Sequence, residues 1–510
     1  MSPTFKRPPL LLGAARQFSR LHRWLGTAVC LMFALWFGTG VIMMYVPFPS
    51  LSEPARLAAT APLDLSALAV APSGAAQAAA DVPLAGLRLV AVLGQPRYLL
   101  TLADGRMLAI SGTDAGPAPP LEVETARRVA EQFAQLPAAA VDGPFDYDQW
   151  VVHQRFDPAR PFFRVSLGDR AGTELYVSAR LGQVLQRTTR FERGWNWVGA
   201  VVHWIYPTVL RKSEYAWDQV VWWLALIGIV AALAGFGLGI VRLLNQCRSG
   251  RGGLSPFRGW LRWHHILGLC AGTFVLTWIF SGWLSMDHGR LFSRDQAEPE
   301  RNARMRGIDL ATAVRGLTPE TIRTLGPARE LEFLAVGGQA LIAVRGGADS
   351  RYPLRPLQRG ALGAAIGAVP DQLLLAAARQ AWAPVPALDI ATIAADDAYG
   401  HTRSDPLPPS ARRIRLDDAD ATWVHVDATS GRIISLMDHS RRVYRWLFTG
   451  LHTFDFPLLN RAGPLWQVLM ICALALGFCL SVSAVVLGGR RIGKSFKPWL
   501  RPRSITKEIQ

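Results

Sequence analysis

The side chains in this sequence that could bind a metal or a redox cofactor are histidines, and six of its ten histidines form three matched pairs. His22 and His264 each open an apolar segment and lie 242 positions apart; we call them the inner pair. His203 and His452, the outer pair, lie 249 positions apart in two aromatic segments. Neutral imidazole nitrogens bind zinc, copper and haem iron, so such pairs indicate a metal or cofactor site.

The match between the two halves of the chain extends beyond these histidines. Trp36 and Gly40 recur as Trp278 and Gly282 at the spacing of the inner pair. A third histidine pair, His153 and His401, opens a shared His-x-Arg-x-Asp-Pro pattern, which could contact a substrate or could be structural. Self-similarity at fixed spacing indicates an internal duplication, so the sequence predicts two copies of one unit.

Four apolar runs in the chain are each long enough to cross a bilayer, which takes roughly 20 residues. The sequence therefore predicts an α-helical membrane protein with four transmembrane helices in two internal repeats. The helices are expected at 25–46, 220–241, 266–286 and 466–487. The remaining predicted segments are an N-terminal arm 1–24, an exported domain 47–194, an interfacial histidine segment 195–210, a loop 242–262, a second exported domain 287–444, a second interfacial histidine segment 445–457 and a tail 488–510.

The chain is strongly basic, with a net charge of +17, but the positions of the basic residues exclude nucleic-acid binding as the reason for this charge. Lysine and arginine cluster beside the apolar runs, in the arm, the central loop and the tail. Short basic segments mark the cytoplasmic side of a membrane, so both termini and the central loop are expected there, with both large domains exported. Neither exported domain contains a cysteine, which excludes a disulfide framework.

The two exported domains each predict an α+β unit. Short alternating strands precede a helix, at 122–135 in the first domain and at 371–382 in the second, and further strands follow it. The Ala- and Pro-rich stretch 50–82 is expected to be irregular and linker-like.

Two histidines facing each other across a four-helix bundle suit axial ligation of a haem iron, which predicts two haem sites, one in each leaflet. Zinc or copper would require three or four ligands at each place, and a purely structural or interfacial role for the histidines also remains open. His265 neighbours His264, but adjacent residues lie about 100° apart around a helix, so only one can face the axis. The repeat favours His264.

The segment Arg445-Trp-Leu-Phe-Thr-Gly-Leu-His452, with Asp455-Phe-Pro457 after it, resembles the PepSY-associated transmembrane proteins of bacterial inner membranes. The resemblance implies paired periplasmic PepSY-like domains, b-type haem held by histidines, and reduction of siderophore-bound iron. It thus implies iron ligation by His22, His264, His203 and His452. The first half departs from the pattern, with Trp204-Ile-Tyr206-Pro207 after His203.

The resulting expectation is an inner-membrane haem b protein that passes electrons across the membrane to a periplasmic ferric siderophore or other iron chelate. Gly235, Gly237 and Gly239 lie inside an apolar helix and indicate helix packing, not a dinucleotide loop. Electrons must therefore come from an external cytoplasmic or membrane donor. The alternative is a regulatory or binding protein of the membrane without redox activity. A transporter is disfavoured because no acidic residue interrupts the helix cores.

Overall fold

The computed structural model describes residues 9–250, 252–292, 296–346, 354–403, 405–461 and 463–496, with side chains from 16 to 495. The ends of the predicted arm and tail lie outside them. The helices are α1 Pro9–Tyr45, α2 Glu53–Ala59, α3 Pro72–Ala76, α4 Val123–Ala134, α5 Arg190–Val198, α6 Ala200–His203, α7 Thr208–Arg211, α8 Glu214–Arg248, α9 Gly259–Leu284, α10 Pro299–Arg306, α11 Leu310–Ala313, α12 Pro319–Arg323, α13 Asp371–Trp382, α14 His439–Arg445, α15 Leu451–Thr453, α16 Pro457–Arg461 and α17 Pro464–Phe496. A π-helical turn, Trp446–Gly450, joins α14 to α15.

Four of these helices are long and apolar enough to cross a membrane, which confirms the predicted membrane protein. The candidate spans are Arg16–Tyr45, Glu214–Arg248, Gly259–Leu284 and Pro464–Ser495. In a bilayer a helix satisfies its own backbone hydrogen bonds, so uninterrupted apolar runs fold in this way. Helix α1 packs between α8 and α17, and α9 packs between the same two helices, so α1 and α9 lie on a diagonal of a four-helix bundle.

The extramembrane parts are α+β, as predicted, and their described residues form three antiparallel sheets. The strands are β1 Leu84–Val92, β2 Gln95–Leu102, β3 Met107–Ser111, β4 Ala138–Phe145, β5 Phe162–Leu167, β6 Glu174–Ser178, β7 Val184–Thr188, β8 Glu330–Val336, β9 Gln339–Arg345, β10 Leu354–Gln358, β11 Ala361–Leu362, β12 Ala387–Thr392, β13 Ala411–Leu416, β14 Trp423–Asp427 and β15 Ile433–Met437. Strands β4 to β7 form one small sheet beside α4, and β12 to β15 form a second beside α13.

The third sheet has seven strands and joins the two halves of the chain. Its order is β11-β10-β9-β8-β1-β2-β3, and β1 pairs with β8 in the register Leu87↔Phe333. Its apolar face is part of a core that includes Leu87, Leu89 and Phe333. The sequence did not predict this pairing, because strand partners that lie far apart in the chain leave no local pattern.

Buried charges lie at the junction of the two halves. Glu330 on β8 is 1% exposed and pairs with Arg56 at 2.7 Å and with Arg88 at 3.4 Å. Glu332, also 1% exposed, pairs with Arg432, which lies just before β15. Buried carboxylates with several guanidinium partners keep their charge compensated, whereas removing one partner is costly. The pairs of Glu330 thus connect the two halves, whereas the pair of Glu332 lies within the second half.

The expectation of an irregular stretch at 50–82 was wrong. This stretch contains α2, α3 and a short 3₁₀ helix at Gln77–Ala79, and Leu57 and Leu68 are fully buried. Its leucines and alanines pack on the seven-stranded sheet, so tertiary burial decides the structure where the Ala and Pro content suggested a linker.

Candidate functional site

The inner pair lies within the four-helix bundle, with His22 on α1 and His264 on the diagonal helix α9. The centroids of the two imidazole rings are 6.2 Å apart. A metal ion between two imidazoles lies about 2.0 Å from each nitrogen, and each nitrogen lies about 1.1 Å from its ring centroid, which requires a centroid separation of about 6.2 Å. The spacing therefore suits one shared metal ion.

The hydrogen bonds of the inner pair fix the proton position on each neutral ring. His22 Nδ1 lies 3.0 Å from the Ala231 carbonyl oxygen, which can only accept, so Nδ1 donates. His264 Nδ1 lies 2.9 Å from Ser483 Oγ, and this hydroxyl already donates to the Leu480 carbonyl oxygen, so it accepts from His264. Both rings therefore present an Nε2 lone pair, and neither Nε2 has a hydrogen-bond partner among the described residues.

A cavity of about 380 Å³ adjoins the inner pair. This volume falls within the range of small-molecule sites, about 300–1,000 Å³. The glycines that line it are Gly26, Gly235, Gly239, Gly268 and Gly272. A Cβ atom at Gly235 would lie 2.3 Å from His22 Cε1, so only glycine leaves space for this ring. Arg23 and Arg242 also line the cavity and contribute positive charge.

The outer pair lies at the other end of the bundle and repeats this arrangement. His203 on α6 and His452 on α15 have ring centroids 6.4 Å apart. His203 Nδ1 lies 2.9 Å from Thr39 Oγ1, and His452 Nδ1 lies 3.0 Å from Ser281 Oγ. Each hydroxyl donates to a carbonyl oxygen in the preceding turn of its own helix, so it accepts from the histidine. The outer rings are thus also protonated on Nδ1, with Nε2 available as a ligand.

Two tryptophans stabilise the short segments that carry the outer pair. Trp217 Nε1 donates to the Trp204 carbonyl oxygen at 2.8 Å, just after His203. Trp466 Nε1 donates to the Thr453 carbonyl oxygen, also at 2.8 Å. In each half, then, the long helix that follows the histidine holds the backbone at the end of the histidine segment.

Sequence reasoning identified the four histidines but missed the hydroxyl groups that orient them. Thr39 and Ser281 share the 242-residue spacing of the inner pair and both carry a hydroxyl, a signal that was present in the repeat. Ser483 has no such signal. Its role depends on the packing of α17 against α9.

His265 and the third histidine pair have other partners. His265 Nε2 donates to the Gly239 carbonyl oxygen on α8 at 3.0 Å, whereas its neighbour lies opposite His22. His153 Nδ1 accepts from the backbone N–H of Arg155 and caps the short helix at Gln154–Ala159. His401 forms a β-bridge with Pro406. No ring contact joins His153 to His401 among the described residues.

Two ionisable groups with shifted pKa values, Asp397 and His425, lie in the second extramembrane region near His401. The Arg413 guanidinium contacts Asp397 through two hydrogen bonds, of 2.7 and 2.8 Å. Burial raises the pKa of Asp397, but Arg413 and the N–H groups of Tyr399 and Gly400 outweigh it and lower that pKa to about 2. Burial, assisted by Arg413, lowers the pKa of His425 to about 4.

Each histidine pair offers two nitrogen ligands, on rings whose centroids lie 6.2 Å apart in the inner pair and 6.4 Å apart in the outer pair. Among the described residues, no group of three or more His, Cys, Asp and Glu side chains could hold a metal ion. A metal at either pair would therefore need further ligands from a cofactor or from water. The histidines would fit a cofactor that supplies the remaining metal ligands itself, as haem does.

The fold and the site define a class: a membrane protein with four spanning helices, extramembrane α+β regions and facing histidines. The family model described as the PepSY-associated TM region matches residues 19–327, more than half of the chain. This protein belongs to the PepSY-associated transmembrane family, as its sequence motifs suggested. The search of curated proteins found no match.

Proposed function

We propose that this protein is a haem b protein of the bacterial inner membrane, which transfers electrons to ferric iron bound by a siderophore or a similar chelator in the periplasm. The observation that carries the proposal is a hydrogen-bonding pattern that the four histidines share. All four donate through Nδ1 to a local acceptor, and all four leave Nε2 without a partner among the described residues.

The residues around the histidines support haem as the ligand. A haem iron held by two histidines carries one electron at a time. The Nδ1 bonds orient each ring and raise the basicity of Nε2. The glycines of the inner cavity leave space for a flat macrocycle, and Arg23 and Arg242 would pair with its carboxylate groups.

The arrangement of the pairs supports transfer across the membrane. One pair lies near each end of the bundle, and a hydrocarbon core of about 30 Å is easier to cross through two cofactors than through one. Basic residues beside the spans favour cytoplasmic termini and a periplasmic location for the α+β regions, in two repeats. One electron reduces the chelated Fe(III) to Fe(II), which the chelator binds more weakly. A cytoplasmic or membrane donor supplies that electron.

The experiment compares three alanine variants of the purified protein and of membrane vesicles. His452→Ala should lose the outer haem and stop reduction of a ferric chelate, while the inner haem stays reducible from the cytoplasmic side. His264→Ala should lose the inner haem. His265→Ala should be milder, because its ring bonds to Gly239.

The same measurements can refute the proposal. A colourless wild-type protein that takes up no added haem would favour the binding or regulatory alternative. Full haem content in all three variants would refute ligation by these histidines. Loss of haem in His265→Ala but not in His264→Ala would show that the neighbouring ring is the ligand.

A further inference from the structure

A buried ion pair encloses the segment that carries His452. Arg445 precedes the π-helical turn, and Asp455 follows the histidine by three residues. Their side chains are 4% and 0% exposed, and Arg445 Nη2 lies 3.0 Å from Asp455 Oδ1. Arg445 Nη1 also donates to the Asp455 carbonyl oxygen at 2.6 Å. We call these two residues the clamp, because they join both ends of the turn around His452.

The backbone inside the clamp departs from regular helix. The turn Trp446–Gly450 is π-helical, a conformation that is rare and frequent at functional sites. After α15, Phe454 adopts a left-handed conformation with φ 51°, which a bulky residue rarely occupies. Such a conformation persists only where the surroundings hold it. Arg445 supplies that restraint, since it donates hydrogen bonds to both the side chain and the backbone carbonyl of Asp455.

The carboxylate of Asp455 has its other hydrogen-bonding positions filled. Its Oδ2 accepts from the backbone N–H of Arg403 at 2.8 Å, and its Oδ1 also accepts from Asn460 Nδ2. A buried ion pair is favourable only when its remaining hydrogen-bonding positions are satisfied in this way. Removal of either charge would leave the other buried and uncompensated.

The clamp also connects His452 to the second extramembrane region. Arg445 Nε donates to the Ala398 carbonyl oxygen at 2.8 Å, and Trp446 Nε1 donates to Tyr399 Oη at 3.0 Å. Both acceptors lie in the loop 396–403. Arg413 on β13 holds the same loop through Asp397. A continuous set of hydrogen bonds therefore runs from the small sheet to the π-helical turn.

The first half of the chain lacks this device. The positions that match the clamp hold Asn196 and Tyr206, which cannot form an ion pair. There the backbone beside the histidine is held by Trp36, whose Nε1 donates to the His203 carbonyl oxygen at 2.8 Å. The clamp is thus specific to one member of the outer pair.

We propose that Arg445 and Asp455 are positioning residues for His452, and that through them the loop 396–403 determines how this histidine meets its ligand. The inference rests on the proposed function, in which His452 binds the outer haem iron. Neither clamp residue touches the iron in this proposal; both act by fixing the ring. Groups that orient a metal ligand typically change metal affinity about 10- to 100-fold when they are lost.

The test uses the full-length purified protein with haem added, and compares Asp455→Asn and Arg445→Lys with a matched control. Asp396→Asn is the control, because Asp396 pairs with Arg461 between the same loop and α16, but both side chains are about two-thirds exposed. The readouts are haem affinity, the midpoint potential and the EPR signal of each ferric haem. In both clamp variants we expect the outer haem to bind at least about tenfold more weakly and to give a shifted EPR signal. The inner haem and the control should stay unchanged.

The outcomes separate the inference from the proposed function. An outer haem of unchanged affinity, potential and EPR signal in both clamp variants would overturn the positioning role while haem ligation stands. A wild-type protein that binds no haem would overturn the proposed function itself. Should Asp455→Asn fail to fold, Arg445→Lys decides alone, because lysine keeps the charge but lacks the planar fork of arginine. An unaltered outer haem in that variant would overturn the inference.

Discussion

A single methyl group at Gly235 would test the geometry of the inner pair most sharply. An ideal Cβ there would lie 2.3 Å from Cε1 and 2.7 Å from Nδ1 of His22. Nonbonded carbon atoms approach to about 3.5 Å, so the ring would have to move by about 1 Å. Metal–ligand distances tolerate only about 0.2 Å, and the Nδ1 bond to Ala231 would be disturbed as well.

Gly235→Ala should therefore lose the inner haem and keep the outer one. The affinity of the inner site should fall by at least about 100-fold, because the ligand itself is displaced. Gly237→Ala is the matched control, since it lies on the same helix and its added Cβ would meet nothing within 4 Å. Both substitutions favour helix by about 1 kcal/mol, so general unfolding of α8 is not expected.

The assay is haem per protein from the alkaline pyridine spectrum, followed by a redox titration that separates the two haems. Equal haem content and equal midpoint potentials in Gly235→Ala and Gly237→Ala would show that His22 does not bind haem at the place described. Loss of both haems in Gly235→Ala would show that the two sites do not form independently.

Two further predictions concern the hydroxyl groups and the buried histidine of the second small sheet. Thr39→Val and Ser281→Ala should each weaken binding of the outer haem about 10- to 100-fold, measured by haem titration. Thr27→Val should not, because the Thr27 hydroxyl donates to the Arg23 carbonyl oxygen of its own helix. If all three variants bind haem equally, the Nδ1 bonds have no orienting role. The pKa of His425 is lowered to about 4 by burial and Arg413, so its stabilising contribution is complete above about pH 6.5 and is lost as the pH falls toward 4. Between pH 6.5 and 4 the free energy of unfolding should fall by roughly 3 kcal/mol, and the melting temperature should fall with it. His425→Gln should flatten this dependence on pH, and an equal slope in the variant would contradict the prediction.

The four spanning helices could be predicted from sequence because bilayer thickness and backbone satisfaction leave few alternatives for a long apolar run. The helix at 371–382 was predicted with the bounds that the structure has for α13. Strand β4, by contrast, escaped prediction, since Ala138–Phe145 contains glycine, proline and three alanines and resembles a loop. It is a strand because it pairs with β5.

The sequence by itself determined the membrane class, the family and the six matched histidines, because composition, motifs and repeat spacing follow from the order of the residues whatever the fold. Only the tertiary structure decided what surrounds them. The seven-stranded sheet across both halves, the acceptors of the four Nδ1 atoms and the contacts of the clamp with the loop 396–403 join residues far apart in sequence. Such contacts depend on which surfaces bury each other, and no periodicity within a single segment records that choice.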